Sequence, residues 1–278
     1  MARNTVSSLK KKVENGEKLV MLTAYDHCTA ALAEKAGVDM LLVGDSLGNV
    51  MLGYDTTIPV TMEDMIYHTK AVSRVAKNAM VVADMPYGSY QISTEEAVKN
   101  AFRLISEGGA QAVKLEGSQW APLVQEMTNR GIPVIAHIGL EPQTASLWEG
   151  YKTHGRDEDT AWELVDAAQA MEEAGAFCVL LESVANEAAR LITEKIDIPV
   201  IGIGAGVDCD GQVLVFHDMV GITSAIGGHT PKFVKEYANA GEIMLDAIRT
   251  YAKEVKEGVF PDAEHSVNME AGEAQRIY

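Results

Sequence analysis

Cysteine is scarce and scattered: the chain has three, Cys28, Cys178 and Cys209. Their spacing matches neither a zinc site nor a disulfide framework, and Cys178 lies inside an apolar run, so a reducing, intracellular setting is expected. Aromatic residues make up 6% of the chain although 47% of it is hydrophobic. The core is therefore mostly aliphatic, which suits alternating strands and helices better than a sandwich. Positive charge is also short, with 23 lysines and arginines against 40 aspartates and glutamates and a formal net charge of −17. No basic stripe gathers anywhere, so nucleic acid is not an expected partner. No apolar stretch approaches the roughly 20 residues that cross a bilayer. Residues 1–18 carry lysines, but they also hold Glu14 and Glu17 and no apolar segment, unlike a signal peptide. These absences make a cytoplasmic location, with no membrane partner, the expectation.

What is present is an alternation of short aliphatic runs with longer amphipathic stretches. The runs are residues 19–24, 40–43, 80–83, 112–115, 133–136, 177–181 and 199–203, with a weaker eighth at 219–223. Apolar runs of this length without polar alternation describe strands buried on both faces. Helical patterns lie at 28–36, 62–76, 94–107, 119–129, 159–174, 187–195, 231–237 and 242–257. Ser93 reads as an N-cap followed by acids in the first turn. Gly37, Gly108 and Gly175 follow last helical turns, where a left-handed cap favours glycine. The recurring helix–glycine–strand joint predicts an α/β fold of the (β/α)8 TIM-barrel class, with residues 1–265 as one catalytic domain and 266–278 as a polar tail. The rival is a doubly wound sheet. Gly202-Ile203-Gly204-Ala205-Gly206 lacks the third interval of a dinucleotide fingerprint and follows the seventh strand, so a tight turn at a barrel mouth is the better reading.

Barrel enzymes carry their sites where strands end at the C-terminal face. The polar residues there are Thr23, Tyr25, Asp26, Asp45, Ser46, Asp84, Lys114, Glu116, His137 and Glu182. Asp45 and Asp84 follow adjacent strands; either alone could cap a helix or make a loop hydrogen bond, but with Glu116 they crowd three carboxylates into a small arc. Such a group resists desolvation, and a hard cation relieves it. Oxygen donors without cysteine or paired histidines favour magnesium over zinc. Lys114 lies two residues before Glu116, on the same side of one strand, and reads either as an anchor for a substrate carboxylate or as a structural ion pair. Ser46 could donate to the same carboxylate or serve only the turn. His137 could donate to an oxyanion or be a satisfied core histidine. Glu182, across the barrel, reads as a general base whose pKa burial raises, or as a cap for the helix near Asn186. Together these parts suit proton abstraction beside the carbonyl of a 2-oxo acid. Spacing alone does not name the electrophile.

The chain resembles the ketopantoate hydroxymethyltransferase family from about Thr5 to His265. The resemblance is carried by Thr23–Asp26, Leu42–Gly48, Gly53–Thr61, Ala83–Pro86, Val113–Gly117, His137–Gln143, Gly150–Lys152, Leu181-Glu182 and Ile201–Gly206. It implies a barrel of the phosphoenolpyruvate mutase and isocitrate lyase superfamily. It also implies transfer of a hydroxymethyl group from 5,10-methylenetetrahydrofolate to 3-methyl-2-oxobutanoate, giving 2-dehydropantoate for pantothenate synthesis. By position, Asp45, Asp84 and Glu116 would serve one Mg2+ per subunit, with Glu116 acting through water. Asp45, Ser46, Asp84 and Lys114 would contact the 2-oxo acid, Glu182 would accept the proton, and His137 would be accessory. A homo-oligomer, a decamer, is implied as well. Residues 221–228 and those after Ser266 depart from the family pattern, and no motif marks a folate site. Two rivals are weighed: a carbon–carbon lyase acting on a 2-methylisocitrate-like acid, whose Lys-Lys-Cys-Gly-His segment is missing here, and a non-catalytic binding barrel.

Overall fold

The computed structural model describes residues 3–145 and 150–277. The first seven aliphatic runs form strands: β1 (Leu19–Thr23), β2 (Met40–Val43), β3 (Met80–Asp84), β4 (Ala112–Glu116), β5 (Val134–Gly139), β6 (Cys178–Glu182) and β7 (Val200–Ile203). With β8 (Gly211–Leu214) they make a closed barrel in sequence order, every pairing parallel. Closure sets Leu19 opposite Gly211 and Leu22 opposite Leu214. The architecture is the expected (β/α)8 barrel.

Helices stand close to where the 3.6-residue patterns lie: α2 (His27–Ala36), α4 (Met62–Ser73), α5 (Thr94–Ser106), α6 (Ala121–Thr128), α8 (Glu158–Glu173) and α9 (Asn186–Lys195). Ser93 caps α5 by accepting from the Glu96 amide at 3.2 Å. Gly37 closes α2 in the left-handed conformation, whereas after α5 that conformation falls on Gly109 rather than Gly108. Short helices α3 (Leu47–Val50) and α7 (Pro142–Ala145) follow β2 and β5 at the site end. Ahead of β1, α1 (Val6–Glu14) sends Leu9, 1% exposed, into the same cluster as Leu19, Met21, Met40 and Met80. Aliphatic and methionine side chains fill the barrel, in keeping with the low aromatic content.

The eighth strand is not where the apolar run at 219–223 suggests. That run enters α10 (Phe216–Met219) and α11 (Ile222–Ala225), separated by Gly221 at φ 70°. The real strand opens with a glycine and exposes Gln212, so it has the alternation of a half-covered strand and no continuous apolar signal. The connection from β7 to β8, residues 204–210, is also too short for a helical crossover of a dozen or so residues. No helix corresponds to the pattern at 231–237. Gly204 and Gly206 take φ of 62° and 82° in this connection, so the glycine run makes a tight turn.

Gly211 is required by contact. A Cβ there would sit 2.5 Å from both the Leu19 carbonyl oxygen and Ile201 Cδ1. Gly211→Ala is therefore expected to lower stability by about 1–3 kcal/mol through overpacking at the seam that closes the barrel. Urea unfolding followed by circular dichroism measures this, and an unchanged midpoint would mean the seam is looser than described.

The chain divides into two compact units, Met1–Phe216 with Pro231–Val234 and His217–Thr230 with Lys235–Tyr278. The second contains α11 and α12 (Ala240–Glu257). No residue of α12 is buried, and Met244, Ile248, Tyr251 and Val255 are exposed at the spacing of one helical face. Among the described residues no helix is long and apolar enough to cross a membrane.

Candidate active site

Alternation along each strand carries the core stripe upward into charge. Met80 and Val82 are followed two residues on by Asp84, Ala112 by Lys114 and Glu116, Ile135 by His137, and Cys178 and Leu180 by Glu182. The apolar members of these series belong to one cluster in the barrel. The period of two therefore points the ionisable members into the same interior, one layer closer to the C-terminal face.

There the side chains meet. Lys114 Nζ lies 3.2 Å from Asp84 Oδ1 and 3.9 Å from Glu116 Oε1, and it donates to His137 Nδ1 at 3.2 Å. His137 Nδ1 is 3.6 Å from Glu116 Oε1, and Nε2 is 3.5 Å from Glu182 Oε2. Asp84 Oδ2 accepts from the Asp45 amide at 3.1 Å, which ties the end of β3 to the loop after β2. Ser46 Oγ is 2.9 Å from the hydroxyl of buried Tyr25, whose carbonyl is held by His68 Nδ1 at 2.6 Å. Gly44 leaves room for this turn, since a Cβ would come within 2.8 Å of Ser46 Oγ. Asp45, Asp84, Lys114, Glu116, His137 and Glu182 thus lie in one connected cluster, with Ser46 next to Asp45 in the chain and bonded to Tyr25. Asp45, Asp84, Lys114, Glu116 and His137 are all under 5% exposed.

The capping alternatives raised by the sequence resolve by contact, while Asp84 does accept a loop hydrogen bond from the Asp45 amide and Lys114 does pair with Asp84. Neither Asp45 nor Glu182 caps a helix. The N-cap of α3 is Ser46, that of α9 is Ala185, and neither helix receives a side-chain cap. Asp26 does cap, accepting from the amides of Cys28 and Thr29, and Thr23 accepts from the Phe216 amide; both serve structure. Glu182 precedes Ser183, which holds φ 50°, a strained region for a residue with a side chain. Ser183 is pinned there because its amide donates to the Ile203 carbonyl and its carbonyl accepts from the His154 amide.

Electrostatics follow from burial. Desolvation pushes Asp45, Asp84 and Glu116 above the usual carboxylate range against the pull of Lys114. Glu182 is pushed up to about 8, again by burial first, with Lys114 opposing and Asp45 and Asp84 adding. Burial and the neighbouring Lys114 hold His137 well below the usual histidine range, so it is neutral. With Nδ1 accepting from the lysine, its proton belongs on Nε2, toward Glu182. Lys114 is held above the usual lysine range by Asp84, Glu116 and Asp45, which outweigh its desolvation. Among the described residues, one fixed cation, Lys114, faces Asp45, Asp84, Glu116 and Glu182, an imbalance that a divalent cation would offset.

The residues fit such a cation in a restricted way. Asp84 Oδ1 is buried without an aligned hydrogen bond, although Lys114 lies near it. Among the described residues no three His, Cys, Asp or Glu side chains converge as a metal cage. Lys114 stands between Asp84 and Glu116, and hydrogen bonds occupy one oxygen each of Asp45 and Glu116. One or two carboxylates completed by substrate and water are what magnesium accepts.

Two members of the cluster carry no role in the sequence reading. Gln143, 1% exposed on α7, donates to Asp45 Oδ2 and to the Met85 carbonyl. Tyr90, 2% exposed, donates to Gln143 Oε1 at 2.7 Å. Gln143 belongs to the His137–Gln143 block, but nothing in its type or spacing marks it. Tyr90 sits in the loop after β3, where only the fold brings it to the site.

The profile of the ketopantoate hydroxymethyltransferase family matches residues 3–263. Curated relatives named 3-methyl-2-oxobutanoate hydroxymethyltransferase include that of Carboxydothermus hydrogenoformans, 54% identical over all of both chains. That of Clostridium novyi is 52% identical over 99% of this chain and 100% of its own. Among solved structures, phosphonopyruvate hydrolase in complex with oxalate and Mg2+ superposes with a TM-score of 0.61 at 14% identity, covering 100% of this chain and 98% of its own. A 2,3-dimethylmalate lyase, described as a member of the PEP mutase/isocitrate lyase superfamily, gives 0.58 at 18% identity over 98% and 93%. These distant structures share the barrel and speak to fold alone, and the names of the curated relatives leave the lyase reading less supported than the transferase. Full-length identity above one half and a profile spanning the barrel make the assignment plain: the chain belongs to the ketopantoate hydroxymethyltransferase family.

Proposed function

We propose that the protein transfers a hydroxymethyl group from 5,10-methylenetetrahydrofolate to 3-methyl-2-oxobutanoate, giving 2-dehydropantoate for pantothenate synthesis. The observation that carries the reading is the chain of contacts Asp84–Lys114–His137–Glu182, which sets a cationic anchor and an ionisable base on either side of buried His137. Asp45 and Asp84 would hold Mg2+, with Glu116 reaching it through water. When bound, the cation supplies Lewis acidity toward the keto and carboxylate oxygens of the 2-oxo acid. Lys114 and Ser46 bind and orient the substrate carboxylate, and Tyr25 fixes the hydroxyl of Ser46. Glu182 removes the C3 proton, and neutral His137 holds its Nε2 proton toward that carboxylate. The carbon so freed forms a bond to the one-carbon unit of 5,10-methylenetetrahydrofolate as the carbon–nitrogen bonds break, water supplies the oxygen of the new hydroxyl, and tetrahydrofolate leaves.

Residues 1–265 would act as one catalytic domain with a polar tail beyond it, in a cytoplasmic homo-oligomer, a decamer by family resemblance. The exposed apolar face of α12 supports burial between subunits.

The test is exchange of the C3 hydrogen of 3-methyl-2-oxobutanoate in heavy water, followed by proton NMR, with Mg2+ added or chelated and with or without tetrahydrofolate. Mg2+-dependent loss of the C3 signal is expected. Folded protein that exchanges nothing under any condition would overturn the assignment.

A further inference from the structure

Gln143 makes more contacts to the site's carboxylates than any proposed ligand makes to another. Its backbone amide donates to Glu116 Oε2 at 3.0 Å. Its side-chain Nε2 donates to Asp45 Oδ2 at 2.8 Å and to the Met85 carbonyl at 2.9 Å, which uses both amide hydrogens. Its Oε1 accepts from the Tyr90 hydroxyl at 2.7 Å. The opposite flip of the amide would set its oxygen against a carboxylate and a carbonyl, so Tyr90 and the two acceptors together allow one orientation. Tyr90 is itself held. Its hydroxyl lies 3.3 Å from both the amide and the carbonyl oxygen of Glu116, its ring packs edge-on to Trp120 at 5.6 Å, and Asn100 on α5 donates to the neighbouring Ser89 carbonyl.

We infer that Gln143, locked by Tyr90, is the positioning residue that presents Asp45 to the cation through a single oxygen and so selects a small octahedral cation over a larger one. One oxygen of each carboxylate is already engaged by Gln143. Bidentate binding by Asp45 would have to share or break the Gln143 hydrogen bond on Oδ2, so Oδ1 is the oxygen it offers a cation, while the Gln143 amide holds Glu116 as the partner of a bound water. Calcium favours six to eight oxygens with carboxylates free to bind bidentately, whereas magnesium and manganese accept one oxygen per carboxylate plus water and substrate. The inference rests on the proposed cation site, and it adds a residue and a selectivity that the proposed ligands do not explain.

The test is binding of Mn2+ to metal-free protein by electron paramagnetic resonance, with Ca2+ as competitor, for wild type, Gln143→Met and Tyr90→Phe. Methionine keeps the volume and the backbone amide while removing the side-chain donors. The expected result is Mn2+ affinity lowered about 10- to 100-fold in Gln143→Met, the range for outer-shell partners of metal ligands. Ca2+ should compete more effectively in that variant, because Asp45 regains its second oxygen. Tyr90→Phe should move both quantities in the same direction by a smaller factor and should add little in the double variant. Folded variants with unchanged Mn2+ affinity and an unchanged Mn2+-to-Ca2+ ratio would overturn the inference. Should Gln143→Met fail to fold, the Tyr90→Phe ratio decides alone. Wild-type protein that binds no Mn2+ would instead overturn the cation site itself, which separates the two failures.

Discussion

Glu182→Gln is expected to slow C3 proton exchange about 10²- to 10⁴-fold while binding of the 2-oxo acid stays within a few-fold of wild type. The substitution keeps shape and removes the base. Glu182 is not a helix cap, and His137 Nε2 is 3.5 Å from its carboxylate, so little else depends on its charge. The pH dependence has a definite sign. A general base works ionised, and burial pushes Glu182 up to about 8. The exchange rate should therefore rise with pH toward that value and fall about tenfold per pH unit below the midpoint. A cation between Asp45 and Asp84 would offset the two charges that add to the shift, so the midpoint of the loaded enzyme should lie below that of the metal-free protein. Exchange rates across pH for wild type and variant check the first point, and titration of the Glu182 carboxyl by NMR in metal-free and loaded protein checks the second. An unchanged rate in Glu182→Gln would remove this residue from the mechanism.

Lys114→Met is expected to be the more damaging change, because it strikes stability and activity together. Among the described residues the ammonium is the fixed cation beside Asp84, Glu116 and Asp45, and it also donates to His137. Removing one partner of a buried ionic group leaves uncompensated charge, at a cost of about 3–5 kcal/mol. His137 would also be released from the neighbour that holds it neutral, since Lys114 is a cause of its lowered pKa. The variant should unfold at lower urea concentration and lose exchange activity, with substrate affinity falling further than in Glu182→Gln. Urea melts and exchange assays on the same preparation measure this. A variant of native stability would show that the carboxylates are already neutralised by protons and have no need of the lysine.

Much of the site was legible because strand periodicity and chemistry coincide. Lys114 and Glu116 are two residues apart on one strand, and Asp84, His137 and Glu182 each extend an apolar series on the same face. The sequence could therefore say that these groups share a mouth. It could not say how they divide their contacts. That Lys114 leans on Asp84 and His137 rather than leaving the barrel, and that Asp84 accepts the Asp45 amide, depends on the stagger between neighbouring strands. Gln143 and Tyr90 were missed for a related reason. An uncharged amide and a loop tyrosine gain meaning only from what lies within 3 Å of them. The eighth strand was misplaced because its signal is weak: Gly211 and exposed Gln212 interrupt the apolar run, and a stronger run nearby was spent on α10 and α11.

By itself, then, the sequence determined the barrel class, the faces of seven strands, the capping at Ser93 and Gly37, and the set of ionisable groups gathered at one end. These are local properties, fixed by periods of 2 and 3.6 residues and by which residues tolerate a turn. The family assignment also belongs here, since it rests on blocks of residues in order. Tertiary structure alone decided where the barrel closes, because closure at Gly211 depends on a backbone approach from Leu19 far away in the chain. It alone decided the protonation of the site, because desolvation and the distances to Lys114 exist only once four strands stand side by side. Long-range pairing and burial are collective, and no window of sequence contains them.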